Sequence, residues 1–456
     1  MRSTLIIFAT FLLQNVAFSQ TNPAITAWLQ NTTGIKGRHY VKGNSTPIND
    51  DVLANVQKVQ YSATSVYINA TGIPAYITGP FLDKNPSLAT NQNAIFKFPL
   101  NPAKNSGTPM TTTGGNIGVF INGVALFDYR DGVAWNATTN ALCGGPGNPA
   151  CPGAMGTTQA WNRDAILAER AGFDCTKAHP VNGNYHHHQN PSAFNLDLTV
   201  VSDVCDLYAA DGLYKIDVNK HSPLLGFAYD GFPIYGAYAY KNIDGTGGIT
   251  HMKSSYKLRN ITVRNTSPTG ATTTAGAPIN TTYPLGYFRE DYEFIASTAS
   301  DVLDVNNGRF CITPEYPKGT YAYFCTVDAQ HNSAYPYVVG PNFYGVRTNA
   351  KVTAINEAVT TYIPIVGVAD NELNNLNITI FPNPASDLVA VQFGTVSQSD
   401  FEVILADLQG KVVQKTKIYQ GSTIAHFDTK TLYSGEYIVT IQNGSTMLSK
   451  KIMIVK

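Results

Sequence analysis

A group of histidines in the middle of the chain contains the residues best suited to carry chemistry. Four of the nine histidines lie close together, at His179, His186, His187 and His188. Alternate residues of an extended strand point to the same face. We therefore expect His186 and His188 to face one way, and Tyr185 and His187 to face the other.

Two imidazoles from one strand, joined by one or two from neighbouring segments, are a common way to hold copper or zinc. Imidazole suits this task because it is largely neutral at pH 7 and can be oriented through its second ring nitrogen. The sequence therefore predicts a copper or zinc site, with the ligands His179, His186, His188 and His221. The alternatives are that these histidines are structural, or form a surface tract with weak metal affinity.

The rest of the sequence predicts no catalytic residue. It contains no Gly-x-Ser-x-Gly elbow, phosphate loop, zincin helix or dinucleotide fingerprint. Asp230, Asp203 and Asp206 could support a metal site or act as a general base, although Asp230 and Gly231 are also typical of a hairpin turn. Residues 242–248 offer oxygen ligands but lack the spaced carboxylates of an EF-hand loop, so calcium is less favoured than copper or zinc.

Composition excludes some classes of partner. The chain has 456 residues and balances 31 Lys and Arg against 31 Asp and Glu. This balance argues against electrostatic binding to nucleic acid or to an anionic membrane. No apolar run is long enough for a transmembrane segment.

The N-terminus and the cysteines both indicate export. Residues 1–19 combine Arg2, a short apolar run and small residues at cleavage spacing, as in a signal peptide. Six cysteines fit an oxidising compartment, and proximity along the chain favours three disulfides. The expected pairs are Cys143–Cys151, Cys175–Cys205 and Cys311–Cys325.

Short aromatic and β-branched runs, separated by turn residues, predict a mainly β protein with one or two short helices. Residues 20–347 form the first predicted domain, with a helix expected at 162–171, and residues 348–375 are expected to be a linker. Residues 376–456 alternate in the manner of a small immunoglobulin-like antiparallel sandwich of about seven strands.

The central region resembles the YHYH-protein family. The resemblance rests on the segments Ala178-His179-Pro180, Tyr185-His186-His187-His188 and residues 221–236, which read HSPLLGFAYDGFPIYG. It implies a β-rich YHYH-type domain without an assigned reaction. His187 stands where the namesake motif has its second tyrosine, whereas His186 and His188 match the two histidines of the motif.

The C-terminal region resembles a type IX secretion system sorting domain of type A. The resemblance rests on Phe381-Pro382-Asn383-Pro384, the Asp407–Lys411 turn, Ser434-Gly435-Glu436-Tyr437 and the basic, apolar final strand. It implies a secreted or extracellular protein that is handled by the type IX machinery. The resemblance also implies release, or anchoring at the outer-membrane surface through a glycan or lipopolysaccharide.

Three functions agree with these observations. The first is a surface protein that binds copper or zinc through the histidines. The second is an adhesion or carbohydrate-binding protein with structural histidines, in which Tyr229, Tyr235, Tyr238 and Tyr240 could stack on sugars or simply fill the core. The third is a metal-dependent hydrolase or oxidase, which needs an open coordination position for water.

Overall fold

The computed structural model describes residues 22–44, 46–81, 87–153, 158–191, 216–348, 351–364, 376, 378–397, 400–408, 410–443 and 446–456. The predicted signal peptide lies outside these residues, as do Cys205, Asp203 and Asp206. The chain divides into two compact units, of which the first ends at Ile363 and the second begins at Pro364.

The first unit is built almost entirely from short strands. In chain order they are β1 Lys36–His39, β2 Ile48–Leu53, β3 Val56–Tyr61, β4 Ser65–Ala70, β5 Ile77–Thr78, β6 Ala94–Pro99, β7 Met110–Thr111, β8 Asn116–Phe120, β9 Ala125–Phe127, β10 Arg130–Asn136, β11 Ala141–Cys143, β12 Asn162–Asp164, β13 Ala178–Val181, β14 Asn184–His187, β15 Leu224–Ala228, β16 Pro233–Tyr235, β17 Tyr238–Tyr240, β18 Ile249–His251, β19 Tyr256–Leu258, β20 Tyr292–Phe294, β21 Gly308–Cys311, β22 Thr320–Phe324, β23 Asn342–Phe343, β24 Lys351–Val352 and β25 Thr360–Tyr362.

Two sheets enclose the main core of this unit. The larger has eight strands in the order β13-β14-β9-β8-β15-β16-β22-β21, and the other has five in the order β24-β6-β4-β3-β25. Phe98 of β6 meets Phe227 of β15 with ring centroids 6.4 Å apart, and Trp28 packs against both rings. Burying side chains of this size stabilises the fold by about 1.5–3 kcal/mol each.

The five-stranded sheet extends further along the chain than the sequence predicted. Strand β24 pairs with β6, and β25 pairs with β3, so both edges of the sheet are formed after residue 347. The predicted linker at 348–375 therefore begins too early, because residues 351–352 and 360–362 belong to the first unit. The mixed polar sequence of these strands is typical of exposed sheet edges.

Two short α-helices accompany these strands, α1 at Pro23–Thr26 and α2 at Ala165–Glu169. A 3₁₀ turn at Arg170–Gly172 extends α2. The helix predicted at 162–171 is therefore present but starts later. Asp164 is the N-cap, and its side chain accepts a hydrogen bond from the Ile166 amide, whereas Asn162 lies in β12.

The second unit is an antiparallel β-sandwich, as predicted. Its strands are β26 Thr379–Phe381, β27 Leu388–Gln392, β28 Phe401–Asp407, β29 Val412–Ile418, β30 Ile424–Asp428, β31 Gly435–Asn443 and β32 Thr446–Ile454. They form one sheet in the order β26-β27-β30 and another in the order β29-β28-β31-β32. Val389 and Val391 from the first sheet share a core with Val403 and Val439 from the second.

The described residues confirm one of the three expected disulfides, contain only one cysteine of the second, and contradict the third. Cys143 and Cys151 form a disulfide, and Cys175 is also disulfide-bonded, although its expected partner Cys205 lies outside the described residues. Cys311 and Cys325 are free and buried. The β21–β22 hairpin places Cys311 opposite Thr320, so Cys325 lies about 16 Å further along. A disulfide between them would need Cα atoms within about 7 Å.

Candidate metal centre

A tight hairpin places the first two histidines of the cluster opposite each other. Strands β13 and β14 are joined by Asn182 and Gly183, whose φ angles are 49° and 79°. Two positive φ angles in a two-residue loop are typical of a type I′ turn. The turn fixes the register in which His179 pairs with His186, and directly opposed residues share a face of the sheet.

His188 joins the same face just beyond the end of β14. One ligand nitrogen from each of His179, His186 and His188 lies within 4.8 Å of those from the other two. All three side chains are buried, with fractional exposures of 5%, 2% and 3%. The sequence therefore identified three residues that the fold brings together.

Backbone carbonyls decide which ring nitrogens of two histidines face the centre of the cluster. Nδ1 of His186 lies 2.8 Å from the Asn184 carbonyl, and Nδ1 of His188 lies 2.6 Å from the Asp128 carbonyl. A carbonyl oxygen only accepts, so each Nδ1 must donate a proton. In neutral rings both Nε2 atoms then carry lone pairs, and they lie 3.1 Å apart.

The Asp128 carbonyl is itself held by a buried ion pair. Arg130 donates from Nε to Asp128 Oδ1 at 2.6 Å and from Nη2 to Oδ2 at 2.8 Å. Burial raises the pKa of Asp128, but Arg130 outweighs this effect and keeps the pKa below its ordinary value. This pair fixes the main chain that orients His188, a supporting role that is common around metal ligands.

A carboxylate from α2 lies beside two of these histidines. Oε2 of Glu169 lies 3.2 Å from Nε2 of His179 and 3.2 Å from Nε2 of His188. Burial raises the pKa of Glu169, but His179 and His188 together hold it well below its ordinary value. Glu169 is therefore ionised at neutral pH. Its side chain is 24% exposed, which makes it the most solvent-accessible member of the group.

His186 remains neutral in this environment. Burial, reinforced by the neighbouring rings of His188 and His179, holds the pKa of His186 well below 6.5. Phe127 stacks on His186 with ring centroids 3.8 Å apart, and Phe173 meets His179 edge-on at 5.0 Å. These aromatic walls restrict the orientation of the imidazoles and exclude water, as hydrophobic shells do around metal sites.

The other face of β14 contains the remaining two residues of the motif, as the alternation predicted. The Tyr185 hydroxyl donates to Asp174 Oδ2 at 2.8 Å. His187 Nε2 lies 3.0 Å from the Tyr76 hydroxyl. Burial lowers the pKa of His187 to about 3, so this histidine is a neutral, structural residue.

His221 does not join the cluster. Its ring packs against Tyr235, Tyr240 and Phe324, with centroids 5.1, 4.9 and 6.3 Å away. Tyr235 is on β16, and three strands of the eight-stranded sheet lie between β16 and β14. Proximity along the chain suggested His221 as a ligand, but the 24 residues of 192–215 intervene and the sheet order separates the two segments.

The other candidate residues that the structure describes lie in turns or in the core. Asp230 and Gly231 lie in the turn between β15 and β16, and Asp230 Oδ2 accepts hydrogen bonds from the Tyr323 hydroxyl and the Gly345 amide. Tyr229 and Tyr235 are buried, in agreement with the core alternative. In the 242–248 loop Asp244 accepts from Thr246 within an exposed turn.

Sequence reasoning missed Glu169 and the hairpin register. The Asn182-Gly183 pair was available as a signal, since counting outward from a two-residue turn pairs Val181 with Asn184 and His179 with His186. No comparable signal existed for Glu169. The predicted helix contained it, but only the packing of α2 beside the hairpin decides where its side chain lies.

Comparison with known proteins shows the family to which the chain belongs. The model of the family described as "YHYH protein" matches residues 95–336, which include the hairpin and its three clustered histidines. The chain belongs to the YHYH protein family. Residues 379–455 match the family described as "secretion system C-terminal sorting domain", so this YHYH protein carries a sorting domain of the type IX system and is a secreted or surface-attached protein.

Other comparisons add little. A solved structure from Bacteroides vulgatus, described as a DUF3244 family protein with an immunoglobulin-like β-sandwich fold, is 20% identical. The alignment covers 18% of this chain and 85% of that chain, with a TM-score of 0.16. A comparison with curated proteins gave no match. Among the described residues, no helix has the length and apolar character needed to cross a bilayer.

Proposed function

We propose that this YHYH protein is a surface protein that binds a copper or zinc ion through His179, His186 and His188. The observation that carries the proposal is the pair of Nε2 atoms 3.1 Å apart whose rings both donate through Nδ1 to carbonyl oxygens. Two lone pairs at this distance repel each other unless a cation lies between them. A proton would serve, but burial opposes protonation of His186.

The spacing also suits an ion. Zinc–nitrogen bonds of about 2.0–2.1 Å in a tetrahedral site place neighbouring ligand atoms about 3.3–3.4 Å apart. The two Nε2 atoms of His186 and His188 nearly meet this distance before any adjustment. The ligand nitrogen of His179 lies within 4.8 Å of those of His186 and His188, and rotation of the His179 ring can shorten these distances. Carbonyl-anchored imidazoles are typical of transition-metal sites.

The test is metal analysis of the full-length protein. We expect close to one equivalent of copper or zinc after dialysis against each metal, and loss of that metal in the double variant His186→Ala/His188→Ala. The matched control is His187→Gln, which changes the histidine between them on the opposite face. Equal metal content in the double variant and the wild type would contradict the proposal.

A second function, carbohydrate binding, is favoured by a different part of the first unit. A cleft of about 440 Å³ contains amide, ammonium and aromatic groups. Phe310 at its edge is 60% exposed, and Tyr321 stacks on Tyr344 with centroids 3.5 Å apart. The exposed ring of Phe310 provides a stacking surface for a sugar, and Asn101 and Lys104 in the same cleft provide hydrogen-bond donors.

This second function is separable from metal binding. If the cleft binds glycans, calorimetry with a panel of oligosaccharides will detect binding that Phe310→Ala weakens while metal content stays unchanged. Binding that is insensitive to Phe310 would place the glycan elsewhere.

A further inference from the structure

We infer that Glu169 is the fourth protein ligand of the proposed metal ion, so that the centre is a closed His₃Glu site without a coordination position for water. The inference rests on the proposed function and assigns the chemistry of the same site. A closed site would hold a structural ion, whereas a site with an open position could activate a substrate.

The Glu169 carboxylate lies at the spacing expected of a metal ligand. Oε2 of Glu169 lies 3.2 Å from Nε2 of His179 and of His188. The 3.1 Å separation of the His186 and His188 Nε2 atoms is similar. These three distances all approximate the edge of a tetrahedron around a zinc ion, about 3.3–3.4 Å.

Within the part of the chain that the structure describes, Oε2 of Glu169 has nitrogen neighbours but no well-aligned hydrogen-bond donor. Nδ1 of His188 donates to the Asp128 carbonyl, so the Nε2 atom that faces Glu169 is an acceptor in the neutral ring. Among the described residues, no group donates a hydrogen bond with good geometry to this buried oxygen. Two hydrogen-bond acceptors that face each other in a buried site repel each other unless a cation lies between them.

Helix α2, which carries Glu169, is fixed at its N-terminus. Asp164 caps the helix through Oδ1, and its Oδ2 accepts a 2.7 Å hydrogen bond from the Tyr337 hydroxyl. Residue 169 at the end of α2 is therefore held at the rim of the cluster. Sites built on fixed elements hold their ligands more accurately than sites on loops.

Four protein ligands change the expected chemistry. Catalytic zinc sites usually have three protein ligands and a water molecule, whereas structural sites are closed. A His₃Glu centre would join α2 to the β13–β14 hairpin and would have no bound water to activate. The inference therefore favours a structural or storage ion over a hydrolase, and zinc, which accepts tetrahedral geometry, over Cu²⁺, which prefers tetragonal geometry.

The experiment uses the full-length protein loaded with Co²⁺ as a spectroscopic substitute for zinc. We expect the intense visible absorption of a four-coordinate ion in the wild type, and no change on addition of azide. In Glu169→Ala a solvent position opens, so azide should change the spectrum. Zinc affinity should fall by more than the roughly 10–100-fold that loss of an outer-shell partner costs.

Control variants separate the outcomes. Glu169→Gln keeps the side-chain shape, and Glu293→Gln removes a half-buried carboxylate on β20; only the first should weaken zinc binding. If His186→Ala/His188→Ala loses the metal but both Glu169 variants keep the wild-type spectrum, affinity and azide response, the inference is wrong and the proposed function stands. If the wild-type protein takes up neither Co²⁺ nor Zn²⁺, both are wrong.

Discussion

Neighbouring histidines on β14 have opposite roles because successive side chains of a strand face opposite sides of the sheet. His186 faces His179 and His188, whereas His187 contacts Tyr76 in a separate buried cluster. A motif of consecutive histidines therefore contains a ligand pair and a structural residue between them. The difference should be measurable without any metal, through the titration of His187.

Acid should destabilise the metal-free protein through His187. Its folded pKa is about 3 because it is buried, whereas the unfolded value is about 6.5. Below pH 6.5 the unfolded state binds a proton that the folded state does not, so stability falls as the pH decreases. Between pH 7 and pH 5 this one group accounts for about 2 kcal/mol.

The measurement is urea unfolding at both pH values in the presence of a chelator. The His187→Gln variant should lose about 2 kcal/mol less than the wild type over this interval. An equal loss in the two proteins would show that His187 is accessible to protons in the folded state.

At the scale of elements, the β13–β14 hairpin is the part of the fold on which the site depends. Gly183 has a φ of 79°, and a Cβ atom there would lie 1.9 Å from Thr90 Oγ1. Backbone strain and steric overlap thus both exclude a side chain at the position that sets the register. His179 and His186 face each other only in this register.

Substitution of Gly183 should therefore damage both stability and metal binding. Gly183→Ala should cost more than the roughly 1–2 kcal/mol of a left-handed alanine, because Thr90 must also move. Gly270→Ala is the matched control, since Gly270 has a φ of 87° and open space around it. The measurements are the free energy of unfolding and the zinc content.

The source of the extra cost can be tested directly. The double variant Gly183→Ala/Thr90→Ala should regain the stability that is lost through overlap with Thr90. It should not regain the stability that is lost through backbone strain. If Gly183→Ala and Gly270→Ala prove equally mild, the turn does not control the register.

At the scale of the whole molecule, the end of the first unit decides what can be expressed by itself. A chain that stops at residue 347 lacks β24 and β25, and it exposes both edges of the five-stranded sheet. Tyr362 also packs against the main core. We expect a fragment of residues 20–363 to be more stable than one of residues 20–347 by about 2 kcal/mol or more, from several strand hydrogen bonds at about 0.5–1.5 kcal/mol each. Urea unfolding of the two fragments tests this, and equal midpoints would contradict it.

The cysteines provide a second test at this scale. If Cys311 and Cys325 are free as described, the protein unfolded without reductant should react with two equivalents of a thiol reagent. The native protein should react slowly because both thiols are buried. Peptide mapping should recover Cys143–Cys151 and show whether Cys175 is joined to Cys205. Absence of reactive thiols after unfolding would restore the third disulfide that the sequence suggested.

Local patterns determined much of this protein. Turn residues between β-branched runs predicted the mainly β fold, and the alternation of residues 376–456 predicted the C-terminal sandwich. Alternation along one strand was enough to place His186 and His188 on one face and His187 on the other. These features depend on a few neighbouring residues, so the sequence alone contains them.

Tertiary structure decided the features that depend on packing between distant segments. Sheet order separated His221 from the histidines that precede it, and the β21–β22 register separated Cys311 from Cys325. The packing of α2 beside the hairpin placed Glu169 next to His179. Periodicity shows which face of a strand a residue occupies. Which segment packs against that face depends on the free energy of the whole fold, which no single segment encodes.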